Sequence, residues 1–234
     1  MPPQINLQQL SRDYPAIGLL PRSFLLGSDF QTFAAELKGF LEIIRWTWYS
    51  FKAYPVGGNT QILYFDQNIG QATNRLADTN MQVGGQLSGG EAMLVRNIRV
   101  VPIPAGADAF VLSGEAVALR QWYNVLTLNC WLAASVGDKV YVQGAPLTLF
   151  PAGQGLGSAY TANVQTGTGA GPTNAALVQN GHPSNLALWE TDPPMYVPST
   201  RTITVSLNWI TAQAVTTAGR LGVMLDGWRI RLVQ

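Results

Sequence analysis

Between Thr202 and Trp209 the side chains of Ile203, Val205, Leu207 and Trp209 alternate with Thr204, Ser206 and Asn208. A period of two sends successive side chains to opposite faces of an extended strand, so one face of this segment is buried and the other looks outward. That alternation belongs to antiparallel sheets, since strands of a buried parallel sheet are apolar on both faces. Ala92–Val101 reads the same way, with Leu94, Ile98 and Val100 assigned to one face. Trp122–Leu132 places Trp122, Leu126, Leu128, Cys130 and Leu132 on one side. Arg45–Tyr54, Gln61–Asp66, Lys139–Gln143 and Leu147–Phe150 are further strand candidates, separated by turns rich in Gly, Pro and Asn.

One strand changes frame. Leu221, Val223 and Leu225 share one parity, whereas Trp228, Ile230 and Leu232 share the other. A one-residue slip exchanges the faces of a strand, so the sequence predicts a bulge or bend at Asp226-Gly227, with Gly227 free to adopt a positive φ.

The first 44 residues lack this pattern. Residues 1–27 carry Pro2, Pro3, Pro15 and Pro21, which exclude a long helix, yet Leu7, Leu10, Tyr14, Ile17 and Leu20 make them too apolar for a solvated tail. They read as an extended arm docked on protein. Residues 28–44 read as an amphipathic helix. Ser28 and Gln31 form a capping box, and Phe30, Phe33, Leu37 and Phe40 lie on one apolar stripe followed by Trp46 and Trp48. Residues 45–234 then form one β domain. A long insertion at 151–197, with Gly-rich runs at 153–157 and 167–171 and room for short strands, interrupts it. Ten or so strands with long crossing connections predict an all-β jelly-roll sandwich, single in preference to a compact double one.

Composition then bears on function. Only 12% of the residues are Asp, Glu, Lys or Arg, about half the usual share, while 47% are apolar. A chain so poor in charge keeps little of its surface separate from neighbours, and the simplest neighbour is another copy of itself. The net charge of +1 gives no field for nucleic acid or anionic lipid. No run approaches the ~20 apolar residues of a membrane-spanning helix, and no basic segment followed by an apolar block marks a secretory signal. A single cysteine, Cys130, points to assembly in a reducing compartment and, by its parity, to a buried thiol.

Catalytic motifs are wanting. Gln86-Leu-Ser-Gly-Gly-Glu91 resembles the signature loop of ABC-type ATPases, but no Walker lysine loop accompanies it, and a turn between strands explains the same residues. The Gly-rich runs lack the spacing of a dinucleotide loop. The sole histidine, His182, leaves no His-rich metal site and no obvious triad. Seven tryptophans suit sugar or base stacking, but most fall on apolar parities, where a core or a subunit interface uses them. The expectation is a protein that is not an enzyme and needs no cofactor.

Pro198-Ser-Thr-Arg-Thr-Ile-Thr-Val-Ser-Leu-Asn-Trp209 and Leu221-Gly-Val-Met-Leu-Asp-Gly-Trp-Arg-Ile-Arg-Leu-Val-Gln234, set in a neutral Thr/Asn/Gln/Gly-rich chain, resemble the jelly-roll major capsid proteins of tailless icosahedral bacteriophages, particularly those with an internal membrane. The resemblance implies a virion shell of many copies with upright barrels, loops outward and the N-terminus inward. It also implies other virion proteins, or an internal membrane surface, as partners. Coats that package a genome directly often bear a basic arm, but residues 1–27 hold only Arg12 and Arg22 against Asp13. No direct sequence-specific contact with nucleic acid is therefore expected. The expected assembly contacts are Leu7, Leu10, Tyr14, Ile17, Leu20, Phe30, Phe33, Leu37, Phe40, Trp46 and Trp48. The alternative function is a carbohydrate- or receptor-binding β-sandwich, lectin-like or part of a phage receptor-binding protein.

Overall fold

A computed structural model describes residues 17, 20–25, 30, 40–71, 74–104, 125, 130–147, 150, 157–164, 173–179, 189–215 and 218–233. They are almost entirely β, in two four-stranded antiparallel sheets, as the alternation requires. The strands are β1 (Phe40–Tyr54), β2 (Gln61–Tyr64), β3 (Glu91–Pro104), β4 (Cys130–Val136), β5 (Lys139–Pro146), β6 (Gly157–Val164), β7 (Thr173–Gln179), β8 (Trp189–Pro198), β9 (Ile203–Trp209) and β10 (Gly219–Val233). One sheet has the order β1-β10-β3-β8 and the other β2-β9-β4-β5, while β6 and β7 pair only with each other.

Apolar side chains from both four-stranded sheets share one core. Trp48, Val95, Ile98, Val100, Val197, Val223 and Leu225 come from the first sheet, and Ile62, Leu132, Val142, Val205, Leu207 and Trp209 from the second. Cys130 is buried among them. The expected parity of β9 holds, with Ile203, Val205, Leu207 and Trp209 all inward.

A second, smaller cluster lies on the opposite face of the first sheet. Ala92, Leu94, Tyr196 and Ile230 meet Ile17, Leu20, Phe24 and Phe30 there, with Ile43 and Trp228 alongside. Phe24 belongs to a single helical turn, α1 (Arg22–Leu25), and its ring meets Phe30 edge-on at 5.7 Å and Tyr196 at the same distance. Burying a Phe side chain contributes about 1.5–3 kcal/mol. The segment is thereby held against its own subunit.

Several expectations need correction. The helix predicted over 28–44 does not include its last residues: Phe40–Ile44 belong to β1, paired with Val233 to Arg229; Phe30 is helical, and residues 28–29 and 31–39 lie outside the described residues. Of the strand expected over Trp122–Leu132, Cys130–Leu132 belong to β4, which continues to Val136; Val125 is helical and buried, and Trp122, Leu126 and Leu128 lie outside the described residues. Of the strand expected at Leu147–Phe150 only the two end residues are described; neither is in a strand, and the Phe150 N–H donates to the Leu147 carbonyl at 2.9 Å. The insertion expected at 151–197 contains the β6–β7 hairpin, but residues from Trp189 onward are β8, a full member of the first sheet.

The frame change of the final strand has a different origin from the one expected. β10 runs unbroken along β1, whose register shows no shift. The shift at Asp226/Gly227 lies against β3, where Asp226 pairs with Asn97 and Gly227 with Val95, leaving Arg96 as the extra residue. The Thr191 hydroxyl stitches this bulge by donating at 2.8 Å to the Val95 carbonyl and at 3.0 Å to that of Arg96. Parity flips across it: Met93 and Val95 face the inter-sheet core, then Ile98 and Val100, whereas Leu94 faces the second cluster. Leu94 therefore does not share a face with Ile98 and Val100. Gly227 does not take a positive φ; a Cβ there would lie 1.9 Å from the Leu94 carbonyl oxygen, so the glycine permits a close approach of backbones.

Candidate assembly surface

The sheet β2-β9-β4-β5 has its apolar alternates in the core, and the intervening positions point away from it. These are Gln61 and Leu63 on β2, Thr204, Ser206 and Asn208 on β9, and Trp131, Ala133 and Ser135 on β4. Register sets them in rows: Gln61 beside Asn208 beside Trp131 beside Pro146, then Leu63 beside Ser206 beside Ala133. Ser135 adjoins both Thr204 and the exposed Val140 of β5. None of these residues is charged.

The polar members of the face largely satisfy one another. The Gln61 amide donates to the Asn208 side-chain oxygen, and the Asn208 amide donates to the Ser206 hydroxyl, each at 2.9 Å. A polar group already bonded within the subunit loses less when a partner removes its water. Leu63 and Val140 are exposed. Covering this face costs little desolvation and gains apolar area.

The sheet β1-β10-β3-β8 carries the charge instead. On its outward side Arg99 grips Asp226 through two bonds, Nε at 2.5 Å and a terminal nitrogen at 2.8 Å, and the Thr47 hydroxyl donates to the same carboxylate at 2.6 Å. Towards one end, on the side that faces the other sheet, Arg229 pairs with Glu91 and Arg231 with Glu42. The Arg229 guanidinium also lies over the Trp46 ring, 5.2 Å from its centre.

The expected contact residues scatter over these surroundings. Ile17, Leu20 and Phe30 are buried against the subunit's own sheet and Trp48 is buried in the main core, so none of the four can form a contact between subunits. Burial also withdraws Ile17, Leu20 and Phe30 from any lipid surface. Trp46 remains 37% exposed. Phe40 begins β1; Leu7, Leu10, Tyr14, Phe33 and Leu37 lie outside the described residues. Sequence reasoning recognised the polar alternates of β9 but missed the face they build with β2 and β4. The available signal was the absence of charge at alternate positions of all three strands.

Little in the described residues suggests chemistry. Burial pushes the Cys130 thiol up to about 11 and raises the Tyr64 phenol well above its ordinary value, which keeps both protonated and unreactive at neutral pH. No group of three metal-ligating side chains occurs among the described residues. No helix among them is long and apolar enough to cross a membrane. Comparison with known proteins yields no matching family model, no matching curated protein and no matching solved structure.

Proposed function

We propose that this chain is a structural virion protein, a self-assembling coat subunit of an icosahedral virus or phage built on a single jelly roll. The topological support is the pairing of β1 with β10, β2 with β9, β3 with β8 and β4 with β5. Such nested pairing is that of one long antiparallel ribbon rolled into two sheets, the jelly-roll arrangement used by viral coats and by lectins. Among the described residues eight strands make up one such unit, and the β6–β7 pair is all that stands outside it, which supports the single form.

The observation that carries the functional reading is the uncharged outward face of β2, β9 and β4. A water-facing sheet ordinarily mixes charges into its outward positions for solubility, whereas a sheet covered by a neighbour does without them. A lectin-like module, which shares the topology, would need an exposed aromatic platform. Trp48 and Trp209 are in the core, Trp46 is partly capped by Arg229, Trp228 packs beside the second cluster, and Trp131 is half-buried on the uncharged face. The reading makes the chain's partners further copies of itself together with other virion proteins, in a particle assembled from subunits made in the host cytoplasm. The described residues lend no support to a membrane beneath it.

The test is assembly. Purified native protein should form large particles or stable multimers, seen by negative-stain microscopy and sedimentation, and assembly should weaken little as salt rises, because the face offers no ion pairs. Ala133→Glu, which sets a charge in the middle of the face, should leave a folded subunit and reduce assembly at least tenfold. A strictly monomeric native species at micromolar concentration refutes the proposal, and a small defined oligomer that binds glycans replaces it with the receptor-binding reading.

A further inference from the structure

β1 is an edge strand, and its free edge is treated in two different ways along its length. Over Thr47–Phe51 a neighbouring loop covers it. The Tyr49 N–H donates to the Asn80 side chain at 3.0 Å, the Phe51 N–H to the Asp78 carbonyl at 2.6 Å, and the Asn80 amide donates to the Thr47 carbonyl at 2.7 Å. In an antiparallel strand the N–H and C=O of one residue point to the same side, and the side alternates. The odd-numbered residues therefore present their main chain to the free edge. β1 pairs with β10 without a register shift, so this alternation continues through Arg45, Ile43 and Leu41. Nothing among the described residues bonds to the main chain of Ile43 or Arg45 on that side.

An unpaired edge is a template for another strand, and proteins ordinarily blunt it with Pro, Lys or a bulge. Phe40–Trp46 contains no Pro, no Lys and no bulge, and Ile43, Ile44 and Trp46 favour extended structure. We infer that the Phe40–Trp46 edge of β1 pairs with the same edge of a second copy, antiparallel about a two-fold axis at Ile43, joining two subunits through one continuous sheet. This contact rests on the self-assembly reading and adds a joint separate from the uncharged face.

Charge selects both the occupant and the register. With the axis at Ile43, Ile43 meets Ile43, Glu42 meets Ile44, and Arg45 meets Leu41, so no like charges oppose each other. Glu42 is already neutralised by Arg231 of its own subunit. A parallel in-register pairing would set Glu42 on Glu42 and Arg45 on Arg45, and an axis at Arg45 would oppose two arginines, which is destabilising in a cross-strand pair. A two-fold contact uses one patch twice and closes on itself.

The test uses the full chain. The Arg45 side chain is exposed and its N–H points out of the sheet, so Arg45→Pro removes one edge donor without breaking a bond within the subunit. Sedimentation should show pairing weakened at least tenfold in Arg45→Pro, with circular dichroism unchanged, and unaltered within twofold in Arg45→Ala. In the native protein, amide hydrogen exchange at Ile43 and Arg45 should be slow above the pairing concentration and fast on dilution. That measurement decides the matter should the proline variant fail to fold. If native protein assembles while these amides exchange fast, or if Arg45→Pro assembles as native, the edge pairing is overturned and self-assembly stands. A native protein that stays monomeric overturns both.

Discussion

Gly227→Ala is the sharpest test of the close approach between β10 and β3. The added Cβ would lie 1.9 Å from the Leu94 carbonyl oxygen and 2.9 Å from its carbon, both backbone atoms in a central pair of strands. Restoring ordinary contact at about 3.4 Å requires the strands to part by roughly 1.5 Å. Such a gap breaks one or two ladder hydrogen bonds at about 1 kcal/mol each and adds an overpacking cost of about 1–3 kcal/mol. Against this, Ala restricts the unfolded chain and returns about 0.4–1 kcal/mol, and φ at Gly227 raises no objection to a side chain. The net expectation is a loss of about 3 kcal/mol, or a Tm lower by roughly 6–12 °C in a chain of this size. Gly222→Ala is the internal control. Its Cβ would meet the Phe51 ring at 2.3 Å, but a ring can turn aside, so about 1 kcal/mol should suffice. Urea unfolding followed by tryptophan fluorescence gives both values. A Gly227→Ala protein as stable as wild type, or more stable than Gly222→Ala, refutes the close-packing account.

Cys130 should resist thiol reagents in the native protein and react at once in denaturant; rapid native labelling would contradict its place in the core. Its thiol is raised from 9.0 to about 11, so the proton stays on the folded chain after the unfolded chain has lost it. The associated stability is complete below pH 9 and declines as pH rises through about 11, and Cys130→Ala should flatten that decline in alkaline unfolding curves. Phe24→Ala should cost about 3–5 kcal/mol, read from denaturant melts. Deleting residues 1–27 should expose Leu94, Tyr196 and Ile230, so the truncated subunit should bind a hydrophobic dye or aggregate instead of only failing to assemble.

The strands with one wet and one dry face were legible. β9 was read to within one residue, because its outward positions are all polar and its inward ones all large. β1 from Arg45 was legible as well, but its first residues were not. There both faces carry apolar groups, and Phe40, Leu41, Ile43 and Ile44 fall at spacings that suit a helix as well as a strand. β3 misled for a related reason. Arg96 is an extra residue with no sequence mark of its own, and it moves Ile98 and Val100 to the face opposite Leu94. The uncharged alternates of β2, β9 and β4 are visible along the chain, but their union into one surface is not, since Gln61, Trp131 and Asn208 become neighbours only through strand order.

The place of β10 between β1 and β3 governs when this molecule can exist. Phe40 pairs with Val233 and Tyr54 with Gly219, so the sheet is two disconnected parts until β10 has been synthesised. At about 5–20 residues per second, roughly 10–30 s separate the emergence of β1 from that of β10 on a ribosome. During that interval the first sheet stays unfinished, and contacts this distant in sequence form slowly. The second sheet needs only β9 and can close some ten residues earlier, so its uncharged face is complete before the first sheet is. A subunit whose two sheets are both closed exists only once β10 is available, and the concentration of such subunits sets the pace at which they meet.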